Sequence, residues 1–117
     1  MIWTLSQVAL GGAIGSVLRF LTVSAISAPL GTFLVNVAGS FAMGVLFVLL
    51  SSRTALSPLL MTGVLGGFTT FSAFSLDALK LWQSDQTLPA LAYVAGSVAL
   101  SLVAIALGAA LARGAFA

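Results

Sequence analysis

Long apolar runs, separated by brief polar interruptions, dominate the chain. Four such stretches cover about residues 3–24, 31–50, 57–82 and 88–112. A hydrocarbon core about 30 Å thick needs roughly 20 apolar residues in a helix, so each stretch can cross it. The connections are short and rich in breakers: Ala28-Pro29, Ser51-Ser52-Arg53-Thr54 and Gln83-Ser84-Asp85-Gln86. The pattern predicts an all-α integral membrane protein, with residues 1–117 forming one domain of four transmembrane helices. Its expected place is the cell (plasma or inner) membrane, multi-pass. No internal repeat is visible.

Composition sharpens this reading. Hydrophobic residues make up 61% of the chain and charged residues 5%. A soluble domain carries about 25% charged residues, so the bilayer is the solvent these residues suit. Four Lys/Arg against two Asp/Glu give a net charge of +2 without any basic patch. Nucleic-acid binding therefore has no support. The absence of Cys and His removes disulfides, thiol chemistry and the commonest zinc and haem ligands. No Lys or Arg precedes Arg19, and no A-x-A-like cleavage site follows a short apolar run. The first helix is accordingly expected to be retained, unlike a signal peptide. No catalytic constellation stands out, and the chain does not read as an enzyme.

Loop charge normally sets orientation. Four spans place Arg19 and Lys80 near one side and Arg53 and Arg113 near the other, two against two. Either one orientation wins for reasons outside this tally, or the chain inserts both ways and pairs antiparallel. The tie favours the second reading. Four thin helices are also too few to enclose a hydrophilic pore alone, which favours a dimer.

The residues that interrupt the apolar pattern carry the candidate chemistry. In the first span, Gly11 and Gly15 share a face with Arg19. The glycines suit close helix packing. Arg19 is either a snorkelling anchor or a cation that draws anions to a vestibule. In the second span, Thr32, Asn36 and Ser40 recur at i, i+4 and i+8 as one polar stripe. A buried Asn amide holds neighbouring helices by hydrogen bonds or donates its N–H groups to a dehydrated anion.

The third span reads GVLGGFTTFSAFS over residues 63–75. Gly66-Gly67 falls near the midplane, and the two glycines, two threonines and serines make a weak point where the helix can break; a break leaves carbonyls tolerated only against protein, water or an ion. Phe71 and Phe74 project from a similar face. They either pack as ordinary apolar rings or present the positive ring edge to an anion. In the fourth span, Tyr93, Ser97 and Ser101 again recur at i, i+4 and i+8. Serines in membrane helices often bond their own i−4 carbonyls. Three aligned hydroxyls also form a donor track without net charge.

The segments GGAIGSVLR at 11–19, GTFLVN at 31–36 with Gly39 and Gly44, and GGFTTFSAFS at 66–75 resemble the small fluoride channels called Fluc or CrcB. The resemblance covers most of the chain, and the third motif is its most specific part. It implies an antiparallel dual-topology homodimer with two parallel fluoride pores. It places Asn36, Phe71 and Phe74 at the family's pore asparagine and phenylalanine pair, and Tyr93, Ser97 and Ser101 on its helix-four track. It puts the Gly66 and Thr69 carbonyls on a structural Na+ at the dimer axis, and Arg19 near the pore mouth. The chain departs from the pattern mildly. Leu65 stands where many members have Cys, Phe68 replaces a frequent Leu, and Asp77 stands where Glu is common. None of the three is expected to touch a pore donor.

The resulting expectation is a passive, fluoride-selective anion channel that exports cytoplasmic fluoride and so gives fluoride resistance. Its partners are a second copy of itself, fluoride and the bilayer. About 100 mV, negative inside, would favour export by roughly 2.3 kcal/mol per charge. The alternatives are a small multidrug-type cation exporter and a structural membrane subunit. The exporter needs an acid inside the membrane; the first span has none, and Asp77 and Asp85 lie toward the end of the third span or beyond it.

Overall fold

The computed structural model describes residues 1–50 and 55–116, so the connection at 51–54, with its Arg53, lies outside the described residues. The described residues are helical throughout, apart from short turns and one break. Helix α1 covers Ile2–Ile26 and α2 covers Leu30–Leu49. A π-helical segment, Pro58–Leu65, runs into the single turn α3, Gly66–Phe68. After the break come α4, Phe71–Gln83, and α5, Thr87–Phe116. The π segment, α3 and α4 together make the third span, Pro58–Gln83, and all four spans are long and apolar enough to cross a membrane. The chain is a multi-pass membrane protein with four spans and a broken third one.

Close packing comes from glycine. Helix α1 lies against the π segment and α3, and α2 lies along α5. A Cβ on Gly63 would sit 2.8 Å from the Gly11 Cα and 3.1 Å from the Gln7 carbonyl oxygen. The α1 crossing is therefore backbone on backbone, as small-residue stripes permit in membranes. Buried Gln7 strengthens it by donating from Nε2 to the Ala55 carbonyl at 2.9 Å. Where α2 meets α5, Gly44 and Gly108 play the same part: added side chains would strike the Ile105 and Phe41 carbonyls.

The break falls later than the glycine pair. Gly66 is helical at φ −62°, ψ −37°, whereas Thr69 (φ −89°, ψ 157°) and Thr70 (φ −154°, ψ 122°) are extended. The third span thus breaks within the expected weak point, but at Thr69-Thr70 and not at Gly66-Gly67, and two reasons explain the shift. Gly67 is needed for packing, since a Cβ there would lie 2.6 Å from the Gly12 carbonyl oxygen and 3.1 Å from the Ser16 nitrogen. The β-branched threonines prefer extended backbone. Thr70 also starts α4 as its cap, with Oγ1 accepting from the Ala73 N–H at 3.1 Å.

Candidate functional site at the helix break

Residues 67–70 are held from two sides. From α2, the Asn36 Oδ1 accepts the Thr70 N–H at 2.7 Å, and Nδ2 donates to the Thr70 carbonyl at 2.9 Å. One side-chain amide thus satisfies both backbone groups of a single extended residue. From α1, the Arg19 Nε donates to the Gly67 carbonyl at 3.0 Å. These bonds answer a strict requirement, because an unpaired backbone group in hydrocarbon costs several kcal/mol.

The same pairing sets two carbonyls aside. In an unbroken helix the Thr70 N–H would bond the Gly66 carbonyl, and the Ala73 N–H the Thr69 carbonyl. Here the first goes to Asn36 and the second to the Thr70 hydroxyl. Gly66 and Thr69 therefore keep carbonyl oxygens without their i+4 donors. Such oxygens are hard ligands and fit an alkali cation by chemistry.

A groove of about 360 Å³ opens where the break meets α2 and α5. Asn36, Ser40, Ser97 and Ser101 bring polar atoms to it, and Thr69 and Thr70 line its floor. Gly39 leaves room there, since a side chain on it would strike the Thr69 methyl. Phe71 and Phe74 form one wall, in edge contact with centroids 5.4 Å apart and planes at 60°. Among the described residues no charged side chain lines this groove. Ser97 is 5% exposed, and among the described residues its Oγ has no hydrogen-bond partner. A buried orphan hydroxyl costs about 1–3 kcal/mol, so a ligand that accepts its proton gains an unusually ready donor. The groove's outer rim is open, with Phe71 77% and Leu102 64% exposed.

The structure separates residues that the sequence grouped. The second-span stripe splits at Thr70. Asn36 and Ser40 line the groove, while Thr32, almost fully buried, lines a second cavity of about 240 Å³ with Ser16, Arg19 and Thr70. Thr70 borders both spaces. Tyr93 does not line the groove. Its ring packs on Phe74 at 5.3 Å, and its hydroxyl donates to the Asp77 Oδ2 at 3.3 Å.

Asp77 was expected to touch no pore donor, and it lies outside the groove lining, on the Tyr93 hydroxyl. The residue is buried, 7% exposed, and bonded to Tyr93. Its signal in the sequence was its place three residues after Phe74 on the same α4 face, as an acid inside a span. The pairing became visible only once α4 was packed on α5.

Comparisons with known proteins agree with this architecture. The chain is similar to a protein of Paracoccus denitrificans (strain Pd 1222) called "Fluoride-specific ion channel FluC", at 51% identity over 97% of this chain and 98% of that one. A protein of the same name from Cereibacter sphaeroides (strain ATCC 17029 / ATH 2.4.9) is 52% identical over 97% and 98%. One from Chelativorans sp. (strain BNC1) is 51% identical over 93% and 95%. Residues 6–109 match the family model described as "CrcB-like protein, Camphor Resistance (CrcB)". With four spans, a third span broken at its threonines and a match across nearly its full length, the chain belongs to the CrcB family.

Proposed function

We propose that this chain forms a passive, fluoride-selective channel, working as an antiparallel homodimer in the cell membrane and exporting fluoride. The observation that carries the proposal is the uncharged, donor-lined groove with the orphan Ser97 hydroxyl. Fluoride is small and a strong hydrogen-bond acceptor. Hydroxyls, the second Asn36 N–H and the edges of Phe71 and Phe74 replace its water without binding it as tightly as a fixed cation would. A larger halide fits a narrow row of this kind poorly. The relatives named as fluoride-specific channels support the choice of ion.

The open rim supports a second copy. An anion cannot travel along a groove that faces hydrocarbon, and a partner chain would cover Phe71, Val98 and Leu102. The even split of Lys and Arg favours an antiparallel pair. In that dimer a structural sodium ion on the axis would be held by the carbonyls of Gly66 and Thr69 from each copy. It would neutralise four partial negative charges in a dry place. Tyr93 and Asp77 would support Phe74 from behind, and Thr32 would lie on the approach from the second cavity.

The multidrug-type alternative gains one observation, the buried acid Asp77. That carboxylate is engaged by Tyr93 and does not line the groove. The deciding experiment is flux from liposomes containing only the purified chain and loaded with potassium fluoride. Fluoride should leave when valinomycin shunts the charge, and chloride far more slowly. Equal chloride flux would reject selectivity. Dependence on a proton gradient would reject the channel in favour of the exporter.

A further inference from the structure

Arg19 bonds the break through an unexpected atom. The contact to the Gly67 carbonyl is made by Nε, the secondary nitrogen part-way along the side chain, at 3.0 Å. Gly67 is the middle residue of α3, and its regular i+4 partner would be the N–H of Phe71, beyond the extended pair. Arg19 thus supplies from α1 a donor that the broken helix is poorly placed to supply itself. Asn36 does the corresponding task from α2 on Thr70. Between these two grips lie Phe68 and Thr69, and immediately after them comes Phe71, the groove wall.

We infer that Arg19 is a positioning residue: its Nε–H, rather than its charge, fixes the helix break on which the groove is built. The rival role is attraction of anions by the guanidinium, which also borders the second cavity beside Thr32 and Thr70. The two roles ask for different replacements. A glutamine places its Nε2 the same number of bonds from Cα as the arginine Nε, and so keeps the donor without the charge. A lysine keeps the charge but carries a methylene where Nε was. A methionine keeps apolar length and loses both.

The test compares Arg19→Gln, Arg19→Lys and Arg19→Met with wild type by fluoride efflux and by amide exchange of residues 69–73 in lipid nanodiscs. The expected result is that R19Q retains flux within about threefold of wild type, and R19M and R19K each lose about tenfold or more. Exchange at 69–73 should quicken in R19M and R19K and stay near wild type in R19Q. If R19K keeps wild-type flux and R19Q falls with R19M, the charge is what matters and the inference is overturned. Wild-type exchange in R19M overturns it as well. The flux arm rests on the proposed channel activity, and the exchange arm does not. A wild-type chain that passes no fluoride, yet shows this exchange order, would keep the positioning role while rejecting the channel.

Discussion

Replacing Asn36 by aspartate changes one atom group at the centre of the site. Nδ2 becomes an oxygen facing the Thr70 carbonyl across 2.9 Å, while Oδ1 keeps its bond to the Thr70 N–H at 2.7 Å. Loss of the donor leaves the Thr70 carbonyl unpaired, at a cost of about 1–3 kcal/mol. A carboxylate about 5 Å from a passing anion repels it by about 3 kcal/mol at an effective dielectric constant of about 20. At about 1.4 kcal/mol per tenfold in rate, that repulsion alone slows fluoride by roughly a hundredfold. Efflux of fluoride from liposomes, with protein-free liposomes subtracting leakage of the neutral acid, measures the loss. Flux equal to wild type would show that Asn36 lies off the conduction path and serves only to hold the break.

Three further outcomes are expected. Ser97→Ala removes a hydroxyl that has no partner among the described residues, so stability should stay level or rise by up to about 1 kcal/mol. Flux should nevertheless fall about tenfold; thermal unfolding and efflux on the same preparation separate the two. Phe71→Ile and Phe74→Ile keep apolar bulk but lose the polarised edge and the 5.4 Å ring contact. Both should assemble by gel filtration and conduct at least tenfold more slowly, whereas normal conduction would leave only packing as their role. Replacing sodium by a bulky organic cation should weaken the dimer and its activity if the Gly66 and Thr69 carbonyls hold an ion. Gly66→Val should likewise block functional assembly, and unchanged dimer stability without sodium would refute the ion.

Much of the chain was legible without coordinates, because the bilayer imposes a simple rule. Each span must be about 20 apolar residues long and must satisfy its own backbone. Hydrophobic run length therefore gave the four spans, and the Gly-Gly-Phe-Thr-Thr-Phe run announced a break in the third. Small residues at four-residue spacing in α1 announced a close crossing. What the sequence left open was which residue breaks and what each polar group bonds, since both depend on neighbours distant in the chain. Gly66 and Gly67 looked flexible, but Gly66 stays helical and Gly67 is consumed by contact with α1, so the extended backbone moved to the β-branched Thr69 and Thr70. Helical periodicity put Thr32 with Asn36, and Tyr93 with Ser97. Tertiary packing divided both pairs, sending Thr32 to the second cavity and Tyr93 to Asp77. Periodicity fixes only the face a residue occupies on its own helix. The chemistry opposite that face is set by the other helices, and here it turned Asn36 and Arg19 toward the backbone of the break.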